Sequence, residues 1–449
     1  MLRKLRKLIL HPKWYFYDYF RKKLGFRKYF VTDKIKLLDS HNHQKWLHLI
    51  ISHPYLYFYY KFNKILRKPA YPILVSYRIV ALEESVMGGG KGEVLAVELE
   101  GQNTIYFADE GIVKKIYEGL EPYLFDKISK INFKGVGNQV LIESKVRFGK
   151  ELKINFIGND NKLKLGVGTI IKSPSRINFI GNCNTLHTRN NVILWPTSKI
   201  IFNKDNNELF YDNGCELQSG FSLVFKQNSN YLYAGKNVVF KPSSDIIFYG
   251  SNSLAFFYIN QKINGKLEMF MDNIFFSGEH NTYGDNFACS VGERKNVLIG
   301  SDCMVAWDII IRNDDGHMIF DKKSKKHINQ ARSIIIGDHV WIGRKAQIMK
   351  GAHIQDGVMV GASSIVTRNI EANSLCAGVP AEIIRQDILW SRECAINYTK
   401  EKLIESSEFT GNKYKYKSIG YDKFLKIDAI NPEISAIDKV KLIQDIIEN

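Results

Sequence analysis

The middle of the chain repeats itself every 23 residues. Phenylalanine recurs six times at this interval, and asparagine recurs five residues after each of the first five phenylalanines. The two columns are Phe133, Phe156, Phe179, Phe202, Phe225 and Phe248, and Asn138, Asn161, Asn184, Asn207 and Asn230. A fixed period of this length is typical of solenoids, in which each repeat contacts only its neighbours. The sequence therefore predicts a stack of similar coils.

The repeat unit has the chemistry of short β-strands. Residues 154–157 and 163–165 are rich in aliphatic and aromatic side chains, and residues 158–161 between them read Gly-Asn-Asp-Asn. Glycine and asparagine tolerate the positive φ angles that the corners of a coiled strand require. No 3.6-residue periodicity long enough for a helix is present. We expect a parallel β-helix with the phenylalanine column as an aromatic ladder inside and the asparagine column at one corner, both with structural roles.

The spacing shortens to six residues toward the C-terminus. Aliphatic residues recur at Ile336, Ile342, Ile348, Ile354, Val360 and Val366, and upstream at Ile299, Val305 and Ile311. Three sides of six residues make a triangular coil of 18, and a 23-residue unit is that coil with a five-residue corner loop. The sequence therefore predicts one mainly β solenoid from about residue 130 to 380, with 23-residue coils followed by 18-residue coils.

Composition excludes several other classes of protein. Of the 449 residues, 45% are hydrophobic and 24% are charged, which indicates a folded chain rather than a disordered one. The six cysteines form no C-x-x-C pair, which excludes a disulfide scaffold or zinc finger and favours a reducing, cytoplasmic compartment. No apolar stretch is long enough to span a membrane. Because histidines, cysteines and carboxylates do not cluster at ligand spacing, we predict no metal site.

The net charge of +17 is concentrated at the N-terminus. Residues 1–30 hold ten Lys or Arg against Asp18, a balance of +9, and aromatic residues lie between the charges. This pattern suits peripheral contact with an anionic membrane, which would place the protein at the inner face of the cell membrane. The same charges could also bind a polyanionic glycan or nucleic acid. The remaining alternative is a solvated basic end whose aromatic side chains pack on its own domain. We expect no nucleic-acid partner.

The six-residue rhythm fails between Ile311 and Ile334, where the sequence turns polar and must leave the coil as a loop. Loops carried on a rigid scaffold are where function concentrates. His317 lies at the mouth of this loop, after Asp315 and Gly316. Transfer of an acyl group to a hydroxyl needs a base near neutrality, and histidine suits that task. We predict His317 as the base, with its ring oriented either by Asp315 or by a backbone carbonyl.

Other histidines are interpreted as structural or solvated. His339 and His353 fall at outward positions of the coil pattern, where a solvent-facing histidine is unremarkable. His327 lies in a lysine-rich run and is interpreted as a surface residue. His280 has no recognisable motif around it.

Three turns near the C-terminus resemble those of a known family. Residues 340–343 read Val-Trp-Ile-Gly, residues 361–364 read Gly-Ala-Ser-Ser and residues 378–381 read Gly-Val-Pro-Ala, in that order. Over residues 296–390 the chain resembles the hexapeptide-repeat acyltransferases, and within them the maltose, galactoside and xenobiotic O-acetyltransferase branch. The resemblance implies a left-handed parallel β-helix, a homotrimer, and acetyl-CoA in a groove between neighbouring subunits. His317 matches the Asp-Gly-His base motif of that family.

The resemblance also implies a donor groove. Its candidate residues are Trp341, Gly343, Lys350, Gly361, Ala362, Ser363, Arg368, Pro380, Ala381 and Arg385. The tryptophan would stack near the pantetheine, or form the coil edge with a purely structural role. The glycine-containing turns would meet the pantetheine amides, and the proline and alanine align with family residues near the adenine. The lysine and two arginines suit the CoA phosphates, with a solvated basic face as the alternative.

These observations divide the chain into five parts. They are a basic aromatic segment (residues 1–30), a mixed α/β N-terminal domain of unknown role (31–125), the wide coils (126–295), the hexapeptide-repeat acyltransferase domain (296–385) and a helical C-terminal cap (386–449). The cap shows Leu442, Ile443, Ile446 and Ile447 on one helical face and is expected to pack on the end of the solenoid. Within 31–125 we expect short strands and a helix near residues 111–124.

The sequence supports one function and leaves two alternatives. The first is an acetyl-CoA-dependent O-acetyltransferase that acts on a sugar hydroxyl of a capsular or lipopolysaccharide-type polysaccharide or its precursor. The alternatives are a non-catalytic β-helical scaffold that binds glycans, and an N-acyltransferase for a nucleotide-linked amino sugar. A scaffold would need neither His317 nor an intact CoA groove.

Overall fold

A computed structural model of the chain describes residues 77–82, 94–99, 103–107, 130–143, 145–148, 152–172, 174–393, 396, 398–409 and 418–448. The chain divides into two compact units, residues 1–113 and 114–449. In the first unit, strands Tyr77–Leu82, Val94–Leu99 and Asn103–Phe107 pair antiparallel in sequence order. The predicted short strands are confirmed there. The predicted helix at 111–124 and the basic segment 1–30 lie outside the described residues.

The second unit is a three-sided parallel β-solenoid. The first side consists of Lys130–Phe133, Lys153–Phe156, Arg176–Phe179, Lys199–Phe202, Ser222–Phe225, Asp245–Phe248, Gly265–Met269, Phe287–Val291, Ile310–Arg312, Gln347–Met349 and Ile365–Val366. The second side consists of Gln139–Ile142, Lys162–Leu165, Thr185–Thr188, Glu208–Tyr211, Tyr231–Ala234, Leu254–Phe257, Ile274–Ser277, Val297–Ile299, Ile334–Ile336 and His353–Ile354. The third side consists of Arg147–Phe148, Ile170–Ile171, Ile193–Leu194, Glu216–Leu217, Val239–Phe240, Lys262–Ile263, Thr282–Tyr283, Met304–Val305, Trp341–Ile342, Met359–Val360 and Leu375–Gly378, followed by the antiparallel strand Ala381–Arg385.

The strand register confirms the change of coil size. On the first side Phe156 pairs with Phe179, and Phe179 pairs with Phe202, a step of 23 residues. In the last coils Ile348 pairs with Val366, a step of 18 residues. Both sizes stack on one set of three sheets, because the extra residues of the wide coils are accommodated at the corners and the paired strands stay in register.

The predicted phenylalanine and asparagine columns stabilise the stacking of the wide coils. Phe156, Phe179 and Phe202 are fully buried, and their ring centroids stack 4.7 and 4.8 Å apart. At the corner between the first and second sides, the Nδ2 atom of Asn184 donates to Oδ1 of Asn161 over 3.0 Å, and this bond repeats from coil to coil. Buried amides are stable only when they are hydrogen-bonded, so the Asn ladder has the predicted structural role.

Close stacking of the coils restricts the corners to small residues. A Cβ atom on Gly158 would lie 2.1 Å from the carbonyl oxygen of Gly181 in the next coil. Only glycine allows the backbones to approach this closely.

Three helices follow the solenoid: α1 (Lys400–Glu405), α2 (Tyr421–Asp428) and α3 (Ala436–Glu448). Helices α2 and α3 pack on the outer face of the second side, and not on the end of the solenoid as the sequence predicted. The buried cluster includes Leu254, Phe256, Ile274 and Phe276 from the strands and Phe424, Ile427, Val440 and Ile443 from the helices. Burial of this apolar outer face explains the docking position. Among the described residues, no helix has the length and apolar character needed to cross a membrane.

Candidate active site

The predicted loop leaves the solenoid between the first and second sides, at what we call the loop corner. Strand Ile310–Arg312 ends the first side of this coil, and the chain rejoins the second side at Ile334–Ile336. The strands of the coil that carries the insertion stay in register with those of the next coil, since Ile311 pairs directly with Ile348. The loop is therefore carried on a continuous β-scaffold.

A short hairpin closes the outer part of this loop. Phe320 and His327 form an antiparallel bridge, and the amide of Ile328 donates to the carbonyl oxygen of Ile319 over 2.9 Å. Met318 and Ile328 are 71% and 61% exposed. Apolar side chains this exposed are a feature of surfaces that contact other molecules.

His317 has an exposed side chain on a backbone that is held in place. The Nδ2 atom of Asn329 donates to the carbonyl oxygen of His317 and to Oδ2 of Asp315, over 2.8 Å in each case. The Nζ atom of Lys350 donates to the same Asp315 carboxylate and, over 3.1 Å, to the carbonyl oxygen of Asn329. These contacts join the two ends of the loop to the next coil.

The charge on Asp315 is stabilised by these neighbours. The hydrogen bond from Lys350 and, second, that from Asn329 lower the pKa of Asp315 below its ordinary value. The carboxylate thus faces Lys350 and Asn329, and its effect on His317 runs through the loop backbone. The sequence left open whether Asp315 or a backbone carbonyl orients the imidazole. This geometry does not provide a direct contact between the imidazole and Asp315.

The predicted donor residues fall in a second region, around the corner between the third and first sides, which we call the turn corner. Trp341 is half-buried on the third side and pairs with Met359. In the turn that follows Trp341, a Cβ atom on Gly343 would lie 2.6 Å from the carbonyl oxygen of Val360 in the next coil. The equivalent turn of that next coil contains Gly361, Ala362 and Ser363, and Ser363 has a φ of +60°. The backbone there is fixed by stacking of successive coils.

The last predicted donor residues surround the final hairpin. Pro380 follows a cis peptide bond and is exposed, whereas Ala381 is buried. Arg385 ends the hairpin strand and is exposed. The Nη1 atom of Arg368 lies 3.6 Å from the carboxylate of Glu382.

The structure thus separates the predicted site residues into two sets. His317, Asp315 and Lys350 lie together at the loop corner, and the tryptophan and glycine-containing turns lie at the turn corner. The first side of the solenoid stands between the two corners within one chain. Lys350, predicted as a phosphate partner, lies against Asp315 instead of among the turn-corner residues.

The prediction of a solvent-facing His339 is wrong. The residue is 4% exposed, and the ring stacks on Trp390 with the centroids 3.9 Å apart. Its Nδ1 atom lies 2.7 Å from Oδ2 of Asp302, and the other oxygen of this carboxylate, Oδ1, accepts a hydrogen bond from Arg392. The chain that follows the last hairpin returns along the solenoid and covers this position. His353 is half-buried, with Nδ1 2.7 Å from the hydroxyl of Tyr421.

Sequence reasoning missed Asn329, Trp390 and Arg392. Asn329 lies in a polar run with no pattern that distinguishes it from Asn313 or Gln330. Trp390 and Arg392 follow the repeats and become structural only because the tail folds back. Within the described part of the chain, no group of three or more His, Cys, Asp or Glu side chains could hold a metal ion.

Comparison with known proteins relates this part of the chain to a family. Residues 333–368 match the bacterial transferase hexapeptide family, described as six repeats. The last coils of the solenoid are therefore hexapeptide repeats of this family, as the resemblance implied.

Two curated relatives carry the same enzyme name. The polysialic acid O-acetyltransferase of Escherichia coli O1:K1 is 42% identical over 133 residues, which are 30% of this chain and 43% of that protein. The polysialic acid O-acetyltransferase of Neisseria meningitidis is 32% identical over 109 residues, 24% of this chain and 51% of that protein. The chain thus spans about half the length, or less, of these relatives. A solved polysialic acid O-acetyltransferase is 26% identical, covers 49% of this chain and 93% of its own, and has a TM-score of 0.39.

Proposed function

We propose that this chain is an acetyl-CoA-dependent O-acetyltransferase that modifies a sugar hydroxyl of a cell-surface polysaccharide or its precursor. One observation carries the proposal: His317 is exposed, while Asn329 holds its backbone carbonyl and is itself hydrogen-bonded to Asp315. A base must reach its substrate and yet keep a defined position. A purely structural loop would require neither.

His317 acts in this proposal as a general base. It accepts the proton of the acceptor hydroxyl as that oxygen forms a bond to the acetyl carbonyl carbon. When the carbon–sulfur bond breaks, the proton passes from the imidazolium to the leaving CoA thiolate. The acetyl group moves directly from donor to acceptor, and no covalent enzyme intermediate forms.

The turn corner is the proposed donor site. Its stacked glycine-containing turns offer a fixed backbone for the pantetheine, with Trp341 beside it. Arg385 and Arg368, near the final hairpin, are suited to the CoA phosphates because guanidinium groups bind phosphate oxygens in pairs. Lys350 is assigned to the loop and not to the phosphates, since it contacts Asp315.

A homotrimer would bring the two corners together. In one chain the base and the donor residues lie at different corners, so a neighbouring copy is proposed to place its turn corner beside His317. Such closed rotational assemblies are common among oligomers. The exposed Met318 and Ile328 of the loop hairpin are suited to a contact with that neighbour.

The acceptor and location follow from the relatives and the charge of the chain. The two curated relatives are named for polysialic acid, so we propose a capsular or lipopolysaccharide-type acceptor. We place the reaction in the cytoplasm at the inner face of the membrane, where the basic N-terminal 30 residues would meet anionic lipid.

The test is incubation of the full chain with acetyl-CoA and candidate acceptors. Polysialic acid, other capsular fragments and a nucleotide-linked amino sugar are compared by release of free thiol and by the mass of the product. Release of free thiol, together with a rise of about 42 Da in the mass of the polysaccharide for each acetyl group added, supports the proposal. Thiol release with the amino sugar alone would indicate N-acylation, and acceptor binding without thiol release would indicate a scaffold.

A further inference from the structure

A row of basic side chains follows the first side of the wide coils. Lys153, Arg176 and Lys199 take the first position of three successive strands, pair in register and are exposed. Phenylalanine rings on the inner face of the same strands stack 4.7 and 4.8 Å apart, which is the spacing of the coils. The three positive charges therefore repeat along the axis at about this interval. We call them the basic ladder.

The basic ladder has no acidic counterpart in its own strands. The strands that carry it read Lys-Ile-Asn-Phe, Arg-Ile-Asn-Phe and Lys-Ile-Ile-Phe. On the second side, by contrast, Lys164 lies 3.3 Å from Glu143. Among the described residues, no ion pair involves a member of the ladder. Stacked like charges repel one another across a sheet, so this arrangement has an electrostatic cost that a bound polyanion would remove.

A fourth cation stands beside the ladder at the turn corner. The Nζ atom of Lys172 lies 3.1 Å from the centroid of the Trp195 ring. Lys172 and Trp195 both lie four positions before a ladder residue, Lys172 before Arg176 and Trp195 before Lys199. The contact with the ring holds the Lys172 side chain along the edge of the ladder.

The face that carries the ladder extends along the axis to the coil from which the His317 loop departs. The strand position of Lys199 continues in register through Ser222, Asp245, Lys266 and Ala288 to Ile310. These five steps cover about 24 Å at the usual separation of neighbouring strands, close to 4.8 Å. The strand Ile310–Arg312 is the one from which the His317 loop departs.

We propose that the basic ladder, with Lys172, binds an anionic polysaccharide that runs along the first side toward His317. A line of evenly spaced cations matches a linear polymer with regularly spaced negative charges. A membrane surface would instead meet a broad patch of side chains. The identity of the polymer as the acceptor rests on the function proposed above, whereas its binding to the ladder does not.

Direct binding tests the ladder without catalysis. Labelled polysialic acid is titrated by fluorescence anisotropy, in the absence of acetyl-CoA, with full-length K153Q/R176Q/K199Q and wild type. The control is K236Q/K262Q/K426Q, which removes the same number of positive charges at three exposed positions away from the first side. Because three exposed ionic contacts are lost, the ladder variant should bind about 3- to 150-fold more weakly than the control. Circular dichroism confirms that both variants fold.

Salt and competitors complete the binding test. The affinity of wild type should fall with rising salt more steeply than that of the ladder variant, because fewer ionic contacts remain in the variant. Neutral dextran should not compete. Equal binding by the ladder and control variants would overturn the proposal, as would tighter binding of single-stranded DNA or anionic vesicles than of the polysaccharide.

Kinetics separate this proposal from the catalytic one. A chain too short to span the distance from the ladder to the loop cannot contact both. The ratio of kcat/KM for long over short polysialic acid chains should therefore fall in the ladder variant and stay constant in the control. If no acetyl transfer occurs but the ladder still determines polymer affinity, the proposed reaction fails and the ladder stands. Transfer with an unchanged length ratio would contradict the ladder alone.

Discussion

The side-chain amide of Asn329 donates a hydrogen bond to the backbone carbonyl oxygen of His317 over 2.8 Å. Because the same nitrogen also donates to Asp315, one side chain joins the returning strand of the loop to the segment that carries the proposed base. Asn329 thus sets the position of His317 without contacting its ring.

Replacing Asn329 tests this positioning role. Asn329→Ala removes these two hydrogen bonds, together with the contacts of its Oδ1 atom with the amide of Ile319 and the ring of His327, and should lower kcat about 10- to 100-fold by displacing the base. The KM for acetyl-CoA should stay near the wild-type value, because the donor residues lie at the other corner. Gln330→Ala, at the exposed neighbouring position, is the control and should retain wild-type kcat. Parallel loss of kcat and donor affinity would point to general unfolding of the loop.

Replacing His317 tests the base itself. His317→Ala should lower kcat by about 10²- to 10⁴-fold, the usual contribution of a general base, while acetyl-CoA affinity measured by calorimetry stays unchanged. His317→Asn should perform no better, since an amide cannot accept the proton near neutral pH. The matched control is His187→Ala in the wide coils, where burial lowers the pKa of the histidine to about 4. Near-full turnover by His317→Ala would refute the assignment.

The pairing of Lys350 with Asp315 makes a pH prediction. The hydrogen bond from Lys350 is the main cause of the lowered pKa of Asp315. A carboxyl group with a lowered native pKa contributes stability above its ordinary value of 3.8, and that stability is lost as the pH falls through the native pKa. Lys350→Met should raise the pKa of Asp315, as followed by NMR titration of the carboxyl carbon. An unchanged titration would show that the pair does not form in solution.

Mixed assemblies test whether two copies share one site. His317→Ala lacks the base, and Ala362→Trp fills the exposed turn proposed to receive the donor. Each variant should be inactive alone, whereas co-expression should restore activity at interfaces that combine one intact loop with one intact turn. Light scattering on each sample establishes the oligomeric state. Failure of complementation in a confirmed trimer would place both sets of residues in one chain's site.

Lys439 should make docking of α3 depend on pH. Its Nζ atom donates to the carbonyl oxygen of Asn252 over 2.6 Å, and burial lowers the pKa of Lys439 to about 8, although Asp272 acts in the opposite direction. Between about pH 8 and the ordinary value of 10.5, the unfolded chain binds a proton that the native chain does not. The contribution of Lys439 to the free energy of unfolding should therefore rise with pH over this window.

Urea unfolding at several pH values measures the effect of Lys439. The rise contributed by Lys439 should be absent from Lys439→Met, so wild type should gain stability relative to this variant between about pH 8 and 10.5. Lys441→Met, at an exposed position of the same helix, should preserve it. A difference in stability between wild type and Lys439→Met that stays constant across the window would contradict the assignment.

The sequence predicted the solenoid because each coil repeats the same local requirement. Phe179 must stack on Phe156 and Phe202, so the period shows directly in the chain. The place of His317 in a loop outside the coil could be predicted for the opposite reason, since the sequence there interrupts the six-residue rhythm. The role of Asn329 depends on how the loop closes, and no spacing encodes that.

The docking of the C-terminal helices was harder to predict, because it depends on contacts between distant segments. A signal was present in the strand Leu254–Phe257, where all four residues are apolar and buried, whereas the preceding strand of the second side, Tyr231–Ala234, alternates. Such a strand needs cover on both faces. His339 was misassigned for a related reason. The repeat pattern predicts its outward position on the coil, but it does not predict that Trp390 stacks on its ring.

The docking of α3 has a consequence for how the chain is made. Lys439, which reaches Asn252, is added by the ribosome 187 residues later. During synthesis Phe256 and Phe276 emerge from the ribosome well before α2 and α3 have been made and can cover them. Nascent chains with uncovered apolar sheets are prone to aggregation. Ribosomes stalled between these points should therefore present a chaperone-binding surface that the released protein lacks.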